Sequence, residues 1–416
     1  MRDNIVLVTV DSLRADRCGY IEPESDHTPN LDSLAESGLD FQNAVSPGPR
    51  TPDTLPALFT GRYPVTGPDT AIGDEQEVIG GHLKRYETIA ERLSRHGYET
   101  AAFTPNPYTS RYFGYDRGFD HFRDFIDDDR SSGLFERILD GGSTTTVALR
   151  LLLSALQREN VFRSWESYVE DIESWVKQAS EPYFLWVFLM DCHVPYLASR
   201  SNRTQNVFDM LYGNVRWYWN DKEERFSDRD HERLVRAYDD SVRHVDEFVG
   251  RIDDAVPDAR LVVTADHGET FFEHGRYGHP PNWLYEENVH VPLVLSDGDH
   301  DGTIERPVSI TDIGEYLAPD GVPDQHPTSE VVYSQSLPGD RFAVRGRNWK
   351  YIASVADGEI VSEELYDLEV DAGEVTDRSD ERAELADVGR RAVESRVSHH
   401  AERDAIRKAT VESDGF

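Results

Sequence analysis

Short, nearly unbroken apolar runs recur along this chain, each ending at a polar cluster and each followed by helical spacing. The first is Asn4-Ile5-Val6-Leu7-Val8-Thr9-Val10; others cover Phe41 to Val45, Glu99 to Thr104, Tyr183 to Met190 and Leu261 to Ala265. Runs without polar alternation predict strands covered on both faces, as in a parallel sheet. Between them, Thr28 to Gly38 reads as an N-capped helix closed by glycine. Glu87 to Tyr98 has helical spacing and its own glycine stop, and Glu232 to Asp254 is an amphipathic helix. Strands alternating with helices over roughly 300 residues predict an α/β sandwich, with a large, mainly parallel sheet flanked by helices. After Val291 to Leu295 the texture changes. Arg345 to Ile352 and Glu364 to Leu368 are expected as strands of a small C-terminal sheet. The expected division is a main α/β domain over 1–300, a small-sheet subdomain over 301–376 and a charged, helix-leaning tail over 377–416. A polar, helix-leaning insertion covers about 123–180, including Val147 to Leu156 and Trp165 to Val176.

Charge narrows the setting. The chain of 416 residues carries 79 acidic against 43 basic residues, a formal charge of -36, spread evenly rather than gathered in a tail. Only Lys84, Lys177, Lys222, Lys350 and Lys408 are lysines. Abundant aspartate with scarce lysine reads as adaptation to a salt-rich cytoplasm, where screening tames self-repulsion. It argues against nucleic acid and anionic membrane surfaces as partners. Cys18 and Cys192 are too few for a disulfide framework. Met1-Arg2-Asp3 runs straight into a strand, and no apolar run approaches the ~18 residues of a membrane span. The expectation is a soluble, cytoplasmic protein.

The chemistry-bearing residues stand where the strands stop. Asp11 follows the first run, Asp191 and His193 the fourth, and Asp266 with His267 the fifth. In open α/β sheets ligands bind beyond the carboxyl ends of the strands. A carboxylate beside an imidazole offers one hard oxygen and one nitrogen to a divalent metal. A proline-rich turn around Thr51 adds a hydroxyl, and His274 and His279 follow in a histidine-rich loop. One strand-end aspartate alone is usually a cap or turn residue. Several on one sheet edge can hold a cation that activates an alcohol and binds an anionic ester.

In order, Asn4 to Asp16, Thr28-Pro29-Asn30-Leu31, Thr60-Gly61-Arg62-Tyr63-Pro64, Asp266-His267-Gly268-Glu269, Tyr285-Glu286-Glu287, Trp349-Lys350-Tyr351 and Glu364 to Leu368 resemble the sulfatase family of the alkaline-phosphatase superfamily. The resemblance spans most of the chain outside the insertion and tail. It also exposes departures. The family's cysteine, matured to formylglycine, stands nine positions before the Thr-Gly-Arg threonine; here that position is Thr51. The motif's proline, serine and arginine fall on Asp53, Thr54 and Leu55. Formylglycine is therefore excluded. Ser12 replaces the second of the paired N-terminal aspartates, and Asn106 stands where a sulfate-binding Lys-x-His is expected.

A threonine nucleophile resembles the phosphodiesterase and phosphotransferase branches of the superfamily. A hydroxyl near pKa ~15 needs a metal to become a nucleophile at neutral pH. The resemblance implies Asp11, Asp266 and His267 as metal ligands and Thr51 as nucleophile and ligand, with Thr54 as alternative if the loop is shifted. It implies His193 beside the substrate oxyanion, with Asp191, His279 and Asn106 as candidates for a second metal or for substrate. The cation would be zinc, manganese or calcium; two carboxylates and an imidazole suit the first two better than an all-oxygen calcium site. The expected function is a metal-dependent hydrolase or transferase cleaving a phosphate or sulfate ester of a small molecule or glycan. The alternative is a catalytically silent relative that binds an anionic glycan or metabolite.

Overall fold

The strand Asn4–Val10 (β1) lies inside the molecule because five of its seven residues are apolar and occupy both of its faces. Ile5, Val6, Leu7, Val8 and Val10 have no exposed surface, worth on the order of 10 kcal/mol together as an upper bound. The strand's two polar members are satisfied: Asn4 donates to Glu181 at 3.1 Å, and Thr9 accepts from the Trp186 indole at 3.2 Å. The structure is a computed structural model that describes residues 3–64, 75–125, 163–323 and 325–413.

Seven further strands complete the sheet: Leu39–Phe41 (β2), Glu99–Phe103 (β3), His121–Arg123 (β4), Tyr183–Leu189 (β5), Ala259–Ala265 (β6), Leu293–Ser296 (β7) and Gly302–Ile304 (β8). Their order is β8-β2-β7-β6-β1-β5-β3-β4. β7 runs antiparallel to both neighbours, and every other pairing is parallel. The mainly parallel sheet flanked by helices is the expected fold. The long helix Asp228–Ala255 packs on helices Pro29–Ser37 and Val207–Trp219.

Register matters most for function. Val10 of β1 stands opposite Leu189 of β5 and Ala265 of β6. The next residue on β1 is Asp11 and on β6 is Asp266, so the two aspartates leave the same edge side by side.

Four antiparallel strands form the C-terminal sheet: Val332–Gln335, Arg341–Arg345, Trp349–Ala356 and Glu359–Asp367. Alternate residues face opposite ways. Val332, Ala343, Ile352 and Tyr366 pack with Leu284, Tyr285 and Val289 of the main body. Phe342, Val344 and Tyr351 pack with Ala386 and Val393 of the helix Ala383–Ser413. The expected strand Arg345 to Ile352 is corrected: Gly346-Arg347-Asn348 turns the chain, and the segment joins two strands. In the insertion, Val147 to Leu156 falls outside the described residues, while Val169–Val176 is helical.

Candidate active site

Asp11 and Asp266 are anchored through their backbones. The Asp11 amide donates to the Leu189 carbonyl at 2.8 Å, and that of Asp266 to Val10 at 3.2 Å. Ser12 then turns sharply, with φ of 62° in the left-handed region. Its amide donates to Asp266 Oδ1 at 3.3 Å and its hydroxyl to Asp11 Oδ1 at 2.8 Å. The His267 amide also donates to Asp266 Oδ1, at 2.9 Å.

The orientation of His267 carries information. Nδ1 lies 2.7 Å from the Gly268 carbonyl, which can only accept, so Nδ1 holds the proton. In a neutral ring the bare lone pair of Nε2 then lies 3.6 Å from both Asp11 Oδ1 and Asp266 Oδ2. A lone pair facing two carboxylates is repulsive unless a cation or a proton stands between them. Burial and the neighbouring His279 pull His267 down to about 3, which favours the neutral ring a metal ligand needs. Burial and the Asp11 charge push Asp266 well above the ordinary carboxylate range. Asp11, Asp266 and His267, all buried, offer ligand atoms within 4.8 Å of one another. This donor set fits a divalent cation.

Thr51 is the first residue of helix Thr51–Thr60, with Pro52 behind it. Proline in a first turn lacks an amide that would have no helical partner there anyway. The threonine hydroxyl donates to Asp266 Oδ2 at 2.7 Å. Asn106, just past β3, donates from Nδ2 to Asp11 Oδ2 at 2.8 Å and approaches Thr51 Oγ1 at 3.5 Å. Its Oδ1 accepts from the Tyr108 amide, which fixes the side-chain flip. Thr54 is elsewhere: its hydroxyl is buried against Ser46 Oγ at 2.8 Å and the Gly48 carbonyl at 3.0 Å.

Histidines form the other wall. The His279 ring lies 4.7 Å from that of His267 and 5.1 Å from that of His193. Nδ1 of His279 is 3.2 Å from Glu269 Oε1. Burial opposes charge on His279, yet the Glu269 carboxylate holds it above the usual imidazole range. Glu269 is itself fully buried and accepts from the Tyr196 hydroxyl at 3.0 Å.

The sequence therefore brings Asp11, Thr51, Asn106, His193, Asp266, His267 and His279 to one place. It does not bring Asp191. That carboxylate accepts from the Trp165 amide at 3.3 Å and stands 3.5 Å from His244, away from the other candidates. The parallel register explains this: Met190, not Asp191, continues β5 alongside Asp11 and Asp266. His274 is also elsewhere, paired with Glu287 at 2.8 Å and stacked on Tyr285. Sequence reasoning assigned no role to Glu269 or Tyr196. The available signal was position: one follows Asp-His-Gly directly and the other closes His193-Val194-Pro195-Tyr196.

With this geometry in place, comparison adds the kinship. A family model described as Sulfatase matches residues 3–318. Arylsulfatase K of Mus musculus is 22% identical over 92% of this chain and 77% of its own length. Among solved structures, the phosphonate monoester hydrolase of Agrobacterium radiobacter superposes with a TM-score of 0.62 at 18% identity, covering 98% of this chain and 96% of that one. A protein crystallised with its substrate D-glucosamine-2-N,6-O-disulfate gives a TM-score of 0.68 at 14% identity, over 97% and 99% of the two chains.

Proposed function

Since the chain belongs to the sulfatase family, we propose that it is a metal-dependent hydrolase or transferase that opens a phosphate or sulfate ester with Thr51 as nucleophile. One observation carries this reading. The Thr51 hydroxyl is aimed at Asp266 from the start of a helix, inside the cluster formed with Asp11 and His267. Asp11, Asp266, His267 and Thr51 would hold the cation. When bound, it would lower the hydroxyl's pKa and offset charge on the ester oxygens.

The chain's own groups supply the rest. Thr51 Oγ gives up its proton along the 2.7 Å contact to Asp266 and attacks phosphorus or sulfur; the new bond forms as the ester bond breaks. The helix start places its positive dipole end beside the developing negative charge. Asn106 holds Asp11 and stands next to the nucleophile. His193 and His279 lie side by side in the same cleft, where an imidazole N–H can steady an ester oxygen and an imidazolium can protonate the leaving alkoxide. Water or another alcohol then releases the group from Thr51.

Ester preference follows from the nucleophile. A phosphate transition state carries more negative charge than a sulfate one, so a cation and helix end stabilise it more. Paired aryl phosphate and aryl sulfate substrates test this with wild type, Thr51→Ala and Thr54→Ala. Faster turnover of phosphate is expected, lost in Thr51→Ala and mostly kept in Thr54→Ala. A clear sulfate preference, or a fully active Thr51→Ala, overturns the assignment.

A further inference from the structure

Beyond His279, the wall of the cleft carries groups that the reaction above does not use. Trp217 lies near the end of helix Val207–Trp219, and Lys222 follows just beyond it. The Lys222 ammonium sits 4.0 Å from the centre of the Trp217 ring. Its Nζ donates to the Asn220 carbonyl at 3.2 Å. The Lys222 carbonyl in turn accepts the Tyr277 amide at 3.0 Å, two residues before His279. Gly278, between those two, has φ of 94° and no side chain. A Cβ there would lie 3.5 Å from Trp217 Cζ2 and 3.8 Å from Glu269 Oε1. The indole therefore rests on the same loop that presents His279, beside the carboxylate that orients it.

These contacts fix an ammonium group beside the loop that presents His279. Lysine is normally a mobile, strongly hydrated charge. Here its backbone carbonyl is held by the Tyr277 amide and its head lies over an indole, the best ring for a cation. Lys222 is half-buried, so part of it faces solvent. Burial pulls it down to about 8, against the opposing charges of Asp221 and Glu269, which leaves it mostly cationic at neutral pH. The scarcity of such groups sharpens the point. On a chain of net charge -36 with five lysines, an anionic substrate approaches against the overall field. A fixed cation beside the His279 loop supplies local attraction against that overall field.

We propose that Lys222, positioned by Trp217, binds a second anionic group on the substrate, so that the natural ester is a molecule with at least two anionic groups. The inference rests on the ester-cleaving reading of the Thr51 site, but its test does not require turnover. Glucose 1,6-bisphosphate and glucose 6-phosphate are titrated calorimetrically into the full-length Thr51→Ala protein with excess manganese. The bisphosphate is expected to bind about ten-fold tighter, a difference of ~1.4 kcal/mol. Adding Lys222→Met should shrink that ratio to near one, and Lys222→Arg should keep most of it. Trp217→Leu should lower it severalfold by releasing the ammonium. Equal affinity for the two sugars, or a ratio that survives Lys222→Met, overturns the proposal. If the ratio behaves as expected while wild type cleaves no aryl ester, the anion site stands and the Thr51 reading fails. If aryl phosphate is cleaved but the ratio does not depend on Lys222, the reverse holds.

Discussion

Glu269 shows how much of a site can rest on a residue with no chemistry of its own in the reaction. Its carboxylate is buried, receives the Tyr196 hydroxyl, and fixes His279 through Nδ1. Glu269→Gln keeps the shape but removes the charge that favours one tautomer and orientation. Turnover of an aryl phosphate is expected to fall by roughly 10–100-fold, the usual cost of losing such an orienting partner. The circular dichroism spectrum should stay unchanged. At this scale the sequence was legible where the residue sits directly at a strand end, as with Asp11, Asp266 and His267. It misled by one position at Asp191, because strand register, and so which residue faces the cleft, depends on pairings that composition does not encode.

The small C-terminal sheet is joined to the main body by a buried ionic cluster as well as by apolar contacts. Lys350, with no exposed surface, stands 3.1 Å from Glu286 and 3.0 Å from Glu374, while Arg345 holds Glu286 at 3.0 Å. Lysine sits between two carboxylates here, so one of them carries a penalty. Burial and the charges of Glu286 and Glu287 push Glu374 up to about 7, against the pull of Lys350. The sign follows directly. A carboxyl raised in the folded state binds more protons folded than unfolded between its ordinary value and about 7, so stability falls as pH rises through that window. His274, which burial disfavours as a cation but the Glu287 carboxylate raises, adds a loss of the same sign as pH climbs. Glu286, held low despite burial by Arg345 and Lys350, acts only on the acid side. Unfolding free energies from urea titrations should therefore lose on the order of 1 kcal/mol more between pH 5 and pH 8 in wild type than in Glu374→Gln, the difference that isolates this carboxyl from other titrating groups. The motifs around Trp349 and Glu364 announced this sheet, but the cluster joins segments over 60 residues apart and no local pattern reports it.

Taken whole, the fold was the most legible part, because parallel strands covered on both faces write themselves as unbroken apolar runs. The charge was legible too, and it makes a claim about the entire molecule. With -36 at neutral pH, repulsion between acidic surfaces opposes compaction. Screening lengths shrink from ~10 Å at 0.1 M to ~3 Å at 1 M salt. Thermal midpoints in a monovalent chloride salt should rise over that range, and a flat or falling series would remove the salt-adaptation reading. Among the described residues no helix is long and apolar enough to cross a membrane.

The meeting of Asp11, Thr51, Asp266 and His267 has a thermodynamic side. Thr51 and Asp266 are 215 residues apart in the chain and touch only in the folded state. A cation bound as proposed would act as a staple between two strand ends and a helix start, and the unfolded chain cannot reproduce that pocket. Binding energy there is folding energy: free metal at a hundred times its dissociation constant adds about 2.7 kcal/mol. The melting temperature then becomes a gauge of free metal concentration. Chelation should lower it by a few degrees in wild type, and by much less in Asp266→Ala, where the staple has already lost a leg.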